Sequence, residues 1–334
     1  MKMQRTVRLA FVAIGASLSC APAPTAVIQG SASLVWDPAQ CSDVDYVHVE
    51  SGGRNASVAV MDRRGVSRSV FRQHEGSVLT ASRCGDTFFV VSISADKLVP
   101  YDPATGGRLS RSSDGGRTWR VLEVPSRHGV RSAACLGMKS VYAWSDDEVL
   151  FSDDAGGTWT TKDLPGTFEP QPSPRLAPDG ALWVVRGALS RAPLVVRLDR
   201  RLDYRVWRID TTFTAERFVV APDGRLWFGG SSSLTNFQFA DWIPGQARPS
   251  VRFEFPGTGG IVALETKGRE VGALIWMLSE KTLVDAPVYY VASETGGKRW
   301  TVRRMPKNSC TFGCLSENAI WHVSTEGELY LLPR

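Results

Sequence analysis

Carboxylates are the densest chemistry in this chain. Asp146-Asp147-Glu148 and Asp153-Asp154 fall within nine residues. Such a cluster could hold calcium, but the ligand alternation of an EF-hand loop is missing, and hairpin turns are acidic for their own reasons. The four histidines, His48, His74, His128 and His322, form no H-x-x-x-H or H-E-x-x-H pair. No G-x-S-x-G elbow and no glycine-rich phosphate loop after a strand is present. Cys310 and Cys314 stand four apart without the second close pair that zinc requires. On an extended strand that spacing spans ~13 Å, too far for a mutual disulfide. No catalytic, cofactor-binding or metal-ligating residue is assigned on these grounds.

Spacing of another kind is more informative. Ser112-Ser113-Asp114-Gly115-Gly116-Arg117-Thr118-Trp119 returns forty residues later as Ser152-Asp153-Asp154-Ala155-Gly156-Gly157-Thr158-Trp159. Both read S-x-D-x-G-x-T-W. A blurred copy, Ser293-Glu294-Thr295-Gly296-Gly297-Lys298-Arg299-Trp300, has Thr295 in the Asp position and Arg299 in the Thr position. Ser112, Asp114, Gly116, Thr118 and Trp119, with Ser152, Asp154, Gly156, Thr158 and Trp159, are candidate turn residues. Asp accepts backbone N–H groups, Gly supplies positive φ, Thr returns the chain to a strand, and Trp packs beneath the turn.

These lines match the Asp-box, or BNR repeat. The sequence therefore resembles the Asp-box β-propellers, a group that includes sialidases, sortilin-type receptor domains and photosystem II assembly factors. The resemblance implies an architecture first. It also raises the alternative of a sialidase-like glycosidase, whose arginine triad, Tyr–Glu nucleophile and Asp acid depart from the usual two-carboxylate scheme. The stretch nearest to that family's first arginine segment is Phe71-Arg72-Gln73-His74, which lacks the final two residues of the pattern.

The elements that position these turns are strands. Val78 to Cys84, Phe88 to Ser94, Arg108 to Ser112 and Trp119 to Val124 form one predicted four-strand unit. Val130 to Cys135, Ser140 to Trp144, Glu148 to Ser152 and Trp159 to Leu164 form the next. Four short strands per ~40 residues is the pattern of a propeller blade. Later units carry Leu176-Ala177-Pro178-Asp179-Gly180-Ala181-Leu182-Trp183 and Val220-Ala221-Pro222-Asp223-Gly224-Arg225-Leu226-Trp227, a turn between first and second strands. Trp144, Trp183, Trp227, Trp276 and Trp321 fall on predicted second strands, and Trp119, Trp159, Trp207 and Trp300 on fourth strands. Recurrence at this period predicts packing between blades rather than a sugar platform. Cys84, Cys135 and Cys314 end first strands and read as small buried hydrophobes.

The expectation is an all-β fold: a β-propeller of four-stranded antiparallel blades. Residues 33–334 give about 43 residues per blade for seven blades and about 50 for six, and the forty-residue repeat favours seven. The last unit, from Cys310, shows only three strands. Ser33 to Asp37 is the candidate to complete it, which would bring Cys41 near Cys310 or Cys314.

Residues 1–20 read as an export signal, with Lys2, Arg5 and Arg8 ahead of an apolar run from Leu9 to Leu18 too short to span a bilayer. Cys20, followed by a Pro/Ala tether over 21–32, resembles a bacterial lipoprotein signal and would carry the lipid. Without that segment the formal charge of +5 falls to about +2, spread over mixed signs, so no nucleic-acid partner is expected. The functional expectation is an exported, lipid-anchored, monomeric protein of the bacterial cell envelope, binding a protein or glycan at a propeller face without a cofactor.

Overall fold

The computed structural model describes residues 45–52, 55–62, 66–94, 107–165, 174–187, 192–233, 236–278, 286–308, 312–315, 319–323 and 329–333. Segments 1–20 and 21–32, the strand expected over 33–37, and Cys20, Cys41 and Cys310 lie outside them, as does the Cys314 side chain.

These residues fold into seven antiparallel sheets in chain order, five of four strands and two of three. Sheet 1 holds β1 (Asp45–Gly52), β2 (Asn55–Asp62) and β3 (Ser67–Gln73). Sheet 2 holds β4 (Gly76–Cys84), β5 (Thr87–Ser94), β6 (Arg108–Ser112) and β7 (Arg120–Val121). Sheet 3 holds β8 (Ser132–Cys135), β9 (Val141–Trp144), β10 (Glu148–Ser152) and β11 (Thr160–Asp163). Sheet 4 holds β12 (Arg175–Leu176), β13 (Leu182–Arg186), β14 (Leu194–Leu198) and β15 (Tyr204–Arg208). Sheet 5 holds β16 (Thr214–Val220), β17 (Leu226–Ser233), β18 (Asn236–Trp242) and β19 (Ser250–Pro256). Sheet 6 holds β20 (Gly259–Lys267), β21 (Glu270–Met277), β22 (Pro287–Ser293) and β23 (Thr301–Asn308). Sheet 7 holds β24 (Phe312–Leu315), β25 (Ala319–Val323) and β26 (Leu329–Pro333).

The core sits between sheets, and strand periodicity explains why. Successive side chains point to opposite faces, so a strand clamped between two neighbours must be apolar throughout. All five residues of β13 are buried. Leu182 and Val184 pack toward sheet 3, while Trp183 and Val185 pack toward sheet 5. Six such cores join the seven sheets pairwise, from Val58 and Val90 between sheets 1 and 2 to Leu274 and Ile320 between sheets 6 and 7.

Two expectations need correction. Cys84 and Cys135 are not inert hydrophobes: they form a disulfide, 51 residues apart in sequence with Cα atoms 6.1 Å apart. It ties β4 to β8, the first strands of adjacent sheets. The predicted fourth strands are also shorter than read. Trp119, Trp159 and Trp300 precede β7, β11 and β23 and belong to the turns, because the residues just before them, Thr118, Thr158 and Arg299, are still held by turn hydrogen bonds. Trp207 alone of that ladder lies within its strand, β15.

Candidate binding groove

The turn residues come together as hydrogen-bonded units. Between β6 and β7, the Ser112 hydroxyl donates to Asp114 Oδ1 (2.8 Å) and accepts from the Gly116 N–H (2.9 Å). Asp114 Oδ1 also accepts from the Arg117 and Thr118 N–H groups, and Oδ2 accepts from the Thr118 hydroxyl (2.6 Å). Ser152, Asp154, Gly156, Gly157 and Thr158 repeat this set between β10 and β11. In the blurred copy between β22 and β23, the Thr295 hydroxyl replaces the carboxylate as acceptor for the Arg299 N–H (2.8 Å). Hydrogen bonds led by the Thr118 hydroxyl hold Asp114 well below the usual carboxylate range. Those led by the Thr158 N–H bring Asp154 to about 2.

Each turn also presses on the preceding sheet. The Trp119 indole donates to Val70 O of sheet 1 (2.9 Å). Gly156 abuts Leu122, just beyond β7 of sheet 2, and Gly297 abuts Trp227 of sheet 5. With every acceptor of Asp114 and Asp154 engaged in this way, these residues act as staples rather than ligands.

The acidic run is divided. Asp153 and Asp154 sit at one end of β10, and Asp146, Asp147 and Glu148 at the other. Asp146 pairs with Arg131 (3.0 Å), and Asp147 lies 3.6 Å from both Arg127 and His128. Glu148 is buried, accepting from the Ser126 hydroxyl and from the Arg127 N–H (2.8 Å). Its neighbours are cations and donors, so the run is an ionic clasp between the 126–131 segment and the β9–β10 turn. Among the described residues no group of three or more His, Cys, Asp or Glu is arranged for a metal ion. Arg72 is exposed on β3, an edge strand of sheet 1.

A groove of about 470 Å³ opens where sheets 4 and 5 meet. The two Pro-Asp-Gly turns border it, and both use the same bonds. Gly180 and Gly224 donate to Ala177 O and Ala221 O (2.9 Å each), while Asp179 and Asp223 accept from the N–H two residues on. Positive φ of 81° and 80° requires glycine at both turns. Pro178, Pro222 and Pro244 form the rim, and Trp183, Trp207, Arg197 and Arg205 line the interior.

The indoles of Trp183 and Trp207 stack at 5.8 Å with 12° between planes. The Arg197 guanidinium lies 5.9 Å from the Trp183 ring centroid and donates to Asp179 (2.8 Å). Burial raises the Asp179 pKa, but the Ala181 N–H and Arg197 outweigh it and the net shift is downward. Asp179 is the one acid among the described lining residues. What the groove offers a ligand is the proline rim, the half-buried Trp207 and the exposed Arg205 guanidinium. The tryptophans and the turns were legible as repeating features. Arg197 and Arg205 were not, since nothing local separates them from the other arginines.

Chain order, inter-sheet cores and paired turns define the class as a β-propeller. Solved propellers are similar across nearly the whole chain. "YCF48 bound to D1 peptide" has a TM-score of 0.59 at 14% identity, covering 91% of this chain and 97% of that one. "Structure of U3-55K" has a TM-score of 0.58 at 11% identity, covering 94% and 99%. The WD40 β-propeller domain of Doa1 has a TM-score of 0.55 at 9% identity, covering 93% and 96%. No family model and no curated protein matches the chain.

Proposed function

We propose that this chain is a non-catalytic β-propeller scaffold that binds a protein partner in the groove between sheets 4 and 5. The groove itself carries the reading: it is proline-rimmed, tryptophan-lined and crossed by arginines on a rigid frame. A similar propeller with a bound peptide supports the choice of protein over glycan, by analogy of fold. A photocrosslinking residue in place of Arg205 should give one discrete adduct in cell-envelope extract, and the same residue in place of the exposed Arg120 on β7 should give none. Equal adducts from both positions would overturn the assignment. Turnover of a fluorogenic sialoside, abolished by a single Arg→Ala change, would establish the glycosidase alternative instead.

The proposal includes export and a lipid on Cys20. The Cys84–Cys135 disulfide supports export, because such bonds persist in oxidising compartments. Cys20→Ser should move the protein from the membrane fraction to the soluble fraction; retention at the membrane would exclude lipidation as the anchor. It also includes seven blades, the last completed by Ser33 to Asp37, in keeping with the three described strands of sheet 7.

A further inference from the structure

The strand that supplies Arg205 and Trp207 to the groove is an open edge. Among the described residues β15 pairs with β14 alone. Antiparallel pairing alternates between residues that bond inward and residues that bond outward. The Ile209 N–H donates to Pro193 O and the Asp199 N–H to Asp203 O, in the same register that sets Trp207 opposite Val195 and Arg205 opposite Arg197. Odd-numbered residues therefore spend their backbone groups on β14. Tyr204, Val206 and Arg208 direct theirs to the open side.

That edge is unusually receptive. Tyr204 is 41% exposed and Val206 39%, both on the side of β15 away from the groove. The outer strands longer than β15 are guarded: β3 gives Val70 O to the Trp119 indole of the next sheet, β19 ends in Pro256 with Arg252 ion-paired to Asp241, and β23 contains Pro306. Proline is absent from β15. The hairpin 197–208 carries five arginines, Arg197, Arg200, Arg201, Arg205 and Arg208, against Asp199 and Asp203. Asp199 is engaged by the Arg201 and Asp203 N–H groups. Arg205 and Arg208 are exposed, and neither is ion-paired within the described residues. Pairing of β15 with a second copy of itself would gather four arginines on one two-stranded ribbon, so charge selects against self-association and for an acidic partner.

We infer that β15 is a strand-addition site. An extended, acidic segment of the partner hydrogen-bonds to the backbone of Tyr204, Val206 and Arg208, sets its carboxylates against Arg205 on the groove face and lays its apolar side chains against Tyr204 and Val206 on the other. The inference rests on the proposed protein-binding role and specifies how the partner is held.

The probe is a fluorescein-labelled octapeptide alternating Glu and Val, titrated with full-length protein and followed by anisotropy. Saturable, salt-sensitive binding is expected. Val206→Pro removes an outward N–H that β14 does not use, so it should keep the thermal midpoint yet weaken binding about tenfold or more. Arg205→Glu with Arg208→Glu should weaken it comparably. A probe N-methylated at every valine keeps its charges but loses the donors of the edge that faces β15, and it should bind poorly to the unaltered protein, a result that needs no variant to fold. Equal binding of the N-methylated probe or of a Lys–Val probe would overturn the inference, as would absence of saturable binding up to about 1 mM. Dimerisation through β15 would also overturn it. If Val206→Pro leaves the photocrosslink at Arg205 unchanged, strand addition falls while the groove assignment stands.

Discussion

Gly116 and Gly156 each satisfy two constraints, and the two positions differ in how a methyl group would be received. Both have positive φ, 89° and 90°. A Cβ at Gly116 would lie 2.6 Å from Val70 Cβ and 3.0 Å from Val70 O, atoms fixed to the backbone of sheet 1. At Gly156 it would meet Leu122 Cδ1 at 2.5 Å, the end of a side chain that can turn aside. Gly116→Ala should therefore cost about 2–4 kcal/mol and Gly156→Ala about 1–3 kcal/mol, in that order, by denaturant unfolding. The Asp154 carboxylate gives a pH signature. Its folded pKa of about 2 lies below the ordinary 3.8, so its contribution to stability is complete above pH ~4 and disappears as pH falls through ~2. The gap in thermal midpoint between the unaltered protein and Asp154→Asn should be constant near neutrality and close between about pH 4 and 2. A gap that persists at pH 2 would contradict the hydrogen-bonded carboxylate described here.

Strands and turns came from the sequence at different fidelity. Arg108 to Ser112 and Glu148 to Ser152 match β6 and β10 residue for residue, since alternation between turn signals is a local property. The outer strands did not, because β7 extends over two residues where the repeat suggested six, Trp119 to Val124. Leu122 in that run leaves the strand to enter the core between sheets 2 and 3. The disulfide belongs to this scale as well. It joins β4 to β8 while the Ser82 hydroxyl accepts from the Cys135 N–H (3.0 Å). Replacing both cysteines by serine should cost about 2–4 kcal/mol. Reductant should lower the unfolding midpoint of the unaltered protein and leave that of the double variant where it is; insensitivity of both would mean that the bridge carries no stability.

At the scale of the molecule, stability is shared among cores that lie between sheets. Sheets 2 to 6 are each held on both faces by a neighbour, whereas among the described residues sheets 1 and 7 are each held on one. If Ser33 to Asp37 completes the seventh blade, deleting residues 33–37 should lower the thermal midpoint by at least about 5 °C. Deleting residues 22–26 from the tether, as a control, should leave it unchanged. Equal midpoints for the two deletions would rule out closure by this segment. The same rigidity suits recognition, because an edge strand and a groove held by six inter-sheet cores lose little freedom when a partner docks.

The amino-acid sequence by itself determined that the chain is all-β, that it repeats at about forty residues, and where its turns fall. Glycine at positive φ, aspartate beneath backbone N–H groups and period-two burial act over a few residues and so can be read along the chain. Only the tertiary structure decided that Cys84 meets Cys135, that the acids at the two ends of β10 serve separate networks, and that Trp183, Arg197 and Arg205 enclose one groove. Those outcomes depend on which faces of distant strands come together, and no local pattern specifies that.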